Sequence, residues 1–177
     1  MLYFWSDPHF SHKNVIQYCN RPFENISEMN NKLIENFRNK VPVSEDNEVF
    51  ILGDIWDPEP LCNLADYNMS LILGNHDRNR KALNRIKDCI NKYHLNLTIY
   101  RYPVIIQHYI ILSHEPIEGL NRNSFFLNIC GHVHNSIILN DKSWYSGNRY
   151  WNACVEMNDY APVSLDEIIE KMEIEHE

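Results

Sequence analysis

Ser70-Leu71-Ile72-Leu73-Gly74-Asn75-His76-Asp77 is the stretch that decides how this chain folds. Its short, mostly apolar run reads as a buried β-strand, and the turn that ends it carries an amide, an imidazole and a carboxylate. The same construction recurs along the chain. Leu2–Ser6 leads into Asp7-Pro8-His9, and Glu48–Leu52 leads into Gly53-Asp54-Ile55-Trp56-Asp57. Ile110–Ser113 leads into His114, and Leu127–Cys130 leads into Gly131-His132-Val133-His134. Five strand ends therefore deliver oxygen and imidazole groups that can converge on one point.

The segments between these runs change character halfway. Lys13–Tyr18 reads as one or two helical turns. A longer helix opens at Ser27, with Ser27-Glu28-Met29-Asn30 as its cap region and Met29, Leu33, Ile34 and Phe37 at helical spacing. Pro42 marks its exit, and Pro58 and Pro60 begin a loop or short helix up to Tyr67. Asn79–Tyr93 reads as a helix with Leu83, Ile86, Ile90 and Tyr93 on one face. From there strands follow one another: Leu97–Tyr100, Val104–Gln107, Ile110–Ser113, Leu127–Cys130 and Trp151–Val155, with Gln107-His108 in a hairpin turn. Ser164 caps a last helix from Leu165 to Met172, and the acidic tail Glu173–Glu177 is expected to fray. Strands that alternate with helices and then run consecutively predict an α/β fold with two stacked mixed β-sheets flanked by helices.

Bulk properties bound the function. At 177 residues the chain is expected to form a single domain over 1–177. That length buries roughly 70% of the unfolded surface without disulfide or metal staples. Gly53, Gly74 and Gly131, three of only five glycines, sit inside the candidate motifs, where backbone must approach a site closely. A net charge of −8 argues against stable nucleic-acid binding, which needs a basic face. It leaves anionic substrates open, because bound metal ions reverse the local sign. Five cysteines without a CxxC pair fit free thiols in a reducing compartment, with Cys130 and Cys154 as buried fillers. Met1–Trp5 lacks the basic region of a signal peptide, and no apolar run nears the ~18–20 residues of a membrane span. The expectation is a cytoplasmic protein with no membrane partner.

The residue types at the strand ends set the chemistry. Asp7 and His9 stand two residues apart, as do His132 and His134, and at strand spacing such pairs point to one side. Asp54 has two carboxylate oxygens to bridge two cations, and Asn75 offers a neutral carbonyl oxygen. Mixed carboxylate and imidazole ligands without thiolates suit Mn, Fe, Zn, Ni or Co, with Mn favoured, over a structural zinc–cysteine site. Asp7, His9, Asp54, Asn75, His114, His132 and His134 are too many ligands for one ion and fit two. Two divalent cations bring +4 and the two aspartates return −2, so the centre attracts an anion, and phosphate esters are the natural candidates.

These blocks, DxH, GDxxD, GNHD, H and GHxH in that order from Asp7 to His134, resemble those of the calcineurin-like metallophosphoesterase family. His9-Phe10-Ser11-His12, Asn20-Arg21-Pro22-Phe23 and Pro162-Val163-Ser164-Leu165 also look like a small-enzyme branch found in bacteria and phages. The resemblance implies a four-layer α-β-β-α sandwich. It implies that Asp7, His9, Asp54 and His134 hold one metal, and Asp54, Asn75, His114 and His132 the other. A hydroxide bridging the two would attack phosphorus in a phosphomonoester or phosphodiester. His76 would act at the leaving oxygen, and Asp57 would orient His76. Protein phosphatases of that superfamily carry Arg where Pro58 stands here, so the expected substrate is a small phosphorylated molecule or nucleotide. A nuclease or cyclic-nucleotide phosphodiesterase is the alternative, and a non-catalytic scaffold is a more distant one.

Substrate-contact candidates are Arg21, Arg78 and Arg80, whose guanidinium groups suit phosphate, together with His12 at the cleft rim. A solvated helix start is the plainer account of each. Trp56 either walls the cleft, stacks on a base, or fills the interior.

Overall fold

Successive side chains of a strand point to opposite faces, and here the two faces feed two cores. In β1 (Leu2–Trp5), Tyr3 and Trp5 enter one core and Phe4 the other. β2 (Glu48–Ile51) repeats this with Val49 and Ile51 against Phe50. β3 (Asn68–Ile72) does so with Met69 and Leu71 against Ile72. The first core is roofed by α1 (Lys13–Tyr18), α2 (Ile26–Lys40) and α3 (Arg80–Tyr93). They supply Val15; Met29, Leu33 and Phe37; and Leu83, Ile86 and Cys89. Trp5 anchors it, edge-on to both Phe10 and Phe37. Full burial of side chains of this size is worth roughly 1.5–3 kcal/mol each. The architecture is taken from a computed structural model that describes residues 1–117, 127–136 and 150–172.

Two sheets are formed. The first has the order β4-β3-β2-β1-β9, where β4 is Leu97–Tyr100 and β9 is Val163–Ser164. β1 to β4 run parallel and β9 pairs antiparallel with β1. The second has the order β5-β6-β7-β8, from β5 (Val104–Ile106), β6 (Ile110–Leu112), β7 (Leu127–Cys130) and β8 (Tyr150–Asn152). β5 and β6 form an antiparallel hairpin whose turn holds Gln107 and His108 at positive φ, and the rest is parallel. Between the sheets, Phe4, Phe50, Leu52 and Ile72 meet Ile110, Leu112, Leu127 and Ile129. α4 (Leu165–Lys171) closes that core with Leu165 and Ile168, started by a capping box between Ser164 and Glu167.

The expected elements are present with shifted ends. The cap of α2 is Asn25, whose side chain accepts from Glu28 N, and Ser27 lies inside the helix. The two-proline segment forms a 3-10 turn at Glu59–Leu64. The two mixed sheets agree with the expected α/β fold, but the fourth, helical layer is not among the described residues. The buried apolar residues of the described helices all belong to one or other of these two cores. The tail Glu173–Glu177 lies outside the described residues. Among those residues, no helix is long and apolar enough to cross a membrane.

Topology places the site. Parallel β1, β2 and β3 send their C-terminal loops to one edge, as open α/β sheets do at their ligand crevices. The second sheet meets that edge through Ser6, which pairs with Cys154. Ser6 N donates to Ala153 O at 3.0 Å, and Val155 N donates to Ser6 O at 3.1 Å.

Candidate metal centre

Asp7, His9, Asp54, His132 and His134 all lie just past their strands, and each has a positive φ, between 47° and 70°. Left-handed backbone is uncommon outside glycine and clusters where surrounding structure enforces it for function. This corrects the expectation that a pleated strand aims Asp7 with His9 and His132 with His134. In each pair both residues turn left-handed, with an ordinary residue between them.

The loops interlock tightly. A side chain at Gly74 would place its Cβ 2.0 Å from Asp54 Oδ1, and one at Gly131 would sit 2.3 Å from Asp7 Oδ2. Asp77, buried, accepts from Asp54 N at 2.7 Å and Gly74 N at 3.1 Å, fastening the β2 and β3 loops together. Burial, and then the neighbouring Asp54, raise the Asp77 pKa.

Two ligand groups result. Asp7, His9 and His134 form one, and Asp54, His114 and His132 the other, each with donor atoms within 4.8 Å of one another. Asn75 Oδ1 joins the second, 2.9 Å from His114 Nε2 and 3.1 Å from His132 Nδ1. His9 links the two: its Nε2 stands 3.7 Å from Asp7 Oδ1 and 3.7 Å from Asp54 Oδ2. All seven expected ligands are therefore gathered at one edge.

Hydrogen bonding at the site is unfinished in a way that fits cations. Asp7 Oδ1 and both ring nitrogens of His9 are buried without a hydrogen-bond partner among the described residues, which is costly for polar atoms. His114 Nδ1 lies 2.7 Å from Leu52 O, while its Nε2 faces Asn75 Oδ1 and, at 3.4 Å, Asp54 Oδ2. His134 Nδ1 meets Glu156 Oε1 at 3.0 Å, and its Nε2 faces Asp7 Oδ1 at 3.8 Å. Each ring thus has oxygen acceptors at both nitrogens. Either a second proton or a metal ion satisfies that arrangement, and a carbonyl or carboxylate behind a histidine is how metal sites fix the ring.

Electrostatics without metal follow. Burial opposes charge on His114, but Asp54 and Asp7 outweigh it and lift the pKa to about 9. Burial likewise opposes charge on His134, and Cys19, Glu156 and Asp7 lift it to about 10. Burial disfavours ionised Asp7, yet His9, His114 and His134 hold its carboxyl below the ordinary range.

Other expected site residues fall differently. Arg21 is buried, not presented to substrate. Its guanidinium donates to Asp7 O at 2.7 Å, Pro8 O at 2.8 Å and Glu156 Oε1 at 2.7 Å. Arg21 therefore braces the Asp7–His9 turn from behind. Asp57 accepts from Ser11 Oγ at 2.7 Å and Arg85 at 2.8 Å, and no described hydrogen bond or ion pair joins it to His76. His76 is half-exposed, with Nε2 3.8 Å from Asp54 Oδ2 and its backbone N donating to Asp54 Oδ1 at 3.0 Å. Arg78 is exposed and faces Glu115 at 3.4 Å, and Arg80 is exposed at the start of α3. His12 stacks on Trp56, with ring centroids 4.0 Å apart.

Glu156, Ser6, Cys154 and Asp77 are contributors that the sequence reading passed over. Ser6 Oγ donates to Asp7 Oδ2 at 2.5 Å, and Cys154 Sγ reaches the same oxygen at 3.3 Å. Glu156 follows the apolar run Trp151–Val155, so the strand-end pattern that marked the candidate ligands also points to it. Cys19, His134 and Glu156 form a third close group, but the Arg21 guanidinium on Glu156 opposes a cation there.

No protein-family profile matches the chain. It is 32% identical to the uncharacterized protein MJ1445 of Methanocaldococcus jannaschii, over 97% of this chain and 91% of that protein. The chain belongs to the MJ1445 family. The chain shares its fold with the protein of unknown function AQ665 from Aquifex aeolicus. The crystal structure of AQ665 superposes with a TM-score of 0.69 at 26% identity, covering 97% of this chain and 98% of that one. A likeness to the Pseudomonas putida nuclease MPE, at a TM-score of 0.47 and 20% identity over 75% of this chain and 61% of that one, is too partial to carry an inference about chemistry.

Proposed function

We propose that the chain is a dinuclear-metal phosphoesterase acting on a small phosphomonoester or phosphodiester. The observation that carries the reading is His9. Its Nε2, with no hydrogen-bond partner among the described residues, stands equally between Asp7 and Asp54, so the two ligand groups form one continuous site. Asp7, His9, Asp54 and His134 would hold one divalent ion, and Asp54, Asn75, His114 and His132 the other, with Mn favoured. Bound there, such ions supply Lewis acidity toward a phosphoryl group and lower the pKa of water. The order of the five sequence blocks, which resemble those of calcineurin-like metallophosphoesterases, supports the same assignment.

The chain's own residues do the rest. Asp54 sits between the groups, with Oδ1 held by His76 N and Oδ2 turned to His9, His114 and His76. His76 is accessible and tethered to Asp54, which suits it to give a proton to a departing alkoxide. Asp57, through Ser11 and Arg85, fixes the rim that carries Trp56.

The test is hydrolysis of p-nitrophenyl phosphate and bis(p-nitrophenyl) phosphate by chelator-stripped protein resupplied with Mn, Fe, Co, Ni or Zn. At least one ester should turn over only with metal, and the preferred one tells monoesterase from diesterase. His76→Ala should lower kcat about 10²- to 10⁴-fold with metal content intact. No hydrolysis with any metal would overturn the reading.

A further inference from the structure

Trp56 stands beside this centre, in ring contact with His9 and His76, and it is 39% exposed. It holds a φ of 67°, a conformation that a bulky side chain adopts only when its surroundings enforce it. Those surroundings are visible. The next residue, Asp57, is pinned by Ser11 and Arg85, and Arg85 also reaches Trp56 O at 3.4 Å. The indole lies flat on the His12 ring, 4.0 Å apart and 13° from parallel. It meets the His76 ring edge-on at 5.2 Å and stands 6.2 Å from the His9 ring. Among the described residues His12 Nδ1 is buried with no hydrogen-bond partner, and the stacked indole is what orients the ring. A strained indole fixed beside the site with 39% of its surface left in water is not explained by core filling.

We propose that Trp56, backed by His12, is a ring-stacking subsite for the leaving group of the phosphoester. The claim rests on the phosphoesterase reading. Its contact with His76, the residue placed at the leaving oxygen, puts the subsite on the leaving-group side. The substrates selected carry a planar ring on the departing alcohol, either a nucleobase or a phenol. Indole–ring stacking is tolerant of which ring it takes.

The test is calorimetric titration of the Mn-loaded protein with two matched pairs. Adenosine 5′-monophosphate is set against ribose 5-phosphate, and O-phosphotyrosine against O-phosphoserine. At least one ring-bearing ligand should bind about tenfold tighter than its ring-free partner, and which pair shows it identifies the ring. Trp56→Leu, which keeps apolar bulk without the ring, should shrink that ratio to within about twofold. Trp56→Phe should restore most of it. Ratios near one in the wild type, or unchanged ratios in Trp56→Leu, would overturn the subsite alone. Failure of all four ligands to bind would overturn the phosphoesterase reading with it.

Discussion

The two ligand groups are built to different depths. Asp7 and His9 are buried, and the group they form with His134 is braced on all sides by Ser6, Cys154, Glu156 and Arg21. Across Asp54 the second group opens outward. His114 is buried, but His132 and Asn75 are exposed, and among the described residues Asn75 Oδ1 hydrogen-bonds only to the two histidine rings. Surrounding hydrogen bonds that hold a ligand in place typically govern metal affinity by 10- to 100-fold. On the proposed two-ion reading, that contrast would suit the first position to retention and the second to exchange and substrate access.

Replacing the shared carboxylate should erase the contrast. Asp54→Ala is expected to bring metal content to at most one ion per chain, read by plasma mass spectrometry, and to abolish turnover. Two ions retained in that variant would contradict the bridging role.

A smaller change should affect one side only. Glu156→Gln removes charge behind His134 and leaves the His114 group untouched. The tighter of the two ion affinities is expected to weaken about 10- to 100-fold in chelator competition, with the weaker one unmoved. Equal weakening of both would mean that the groups are not separately supported.

The smallest effect is a pH slope. In metal-free protein, His114 and His134 have pKa values raised to about 9 and about 10. Protonation of these rings therefore stabilises the metal-free fold. That stabilisation is full below about pH 6.5 and is lost as pH rises through 9 to 10. The metal-free Tm should fall across that window, and the slope should flatten on loading, because metal displaces those protons. Proton release on metal binding near pH 7, seen as a buffer-dependent heat in calorimetry, checks the same point.

Much of this was legible in the sequence because each candidate ligand closes a short apolar run, and parallel strands must send such ends to one edge. Less regular contributions left no comparable mark. Ser6 is a single polar residue at the end of an apolar run, and the role of Asp77, which closes the Gly74–Asp77 block, emerges only when Asp54 N and Gly74 N reach its carboxylate in three dimensions. Arg21 read as a surface cation because its acceptors, two backbone carbonyls and Glu156, come together only in three dimensions. Asn25 and Ser27 are both good helix caps, and the choice fell to the one whose side chain meets Glu28 N. β9 spans two residues, too few to show alternation, and exists because β1 offers it an edge. The aiming of Asp7, His9, His132 and His134 depends on backbone φ, which the spacing of the motifs does not encode.

The most direct measurement is a Mn titration of chelator-stripped protein, with bound metal and hydrolysis of a chromogenic phosphate ester followed together. Two ions should bind per chain, the first more tightly, and turnover should rise with the second. Saturation at a single ion, or two bound ions with no hydrolysis of either a monoester or a diester, would contradict the account.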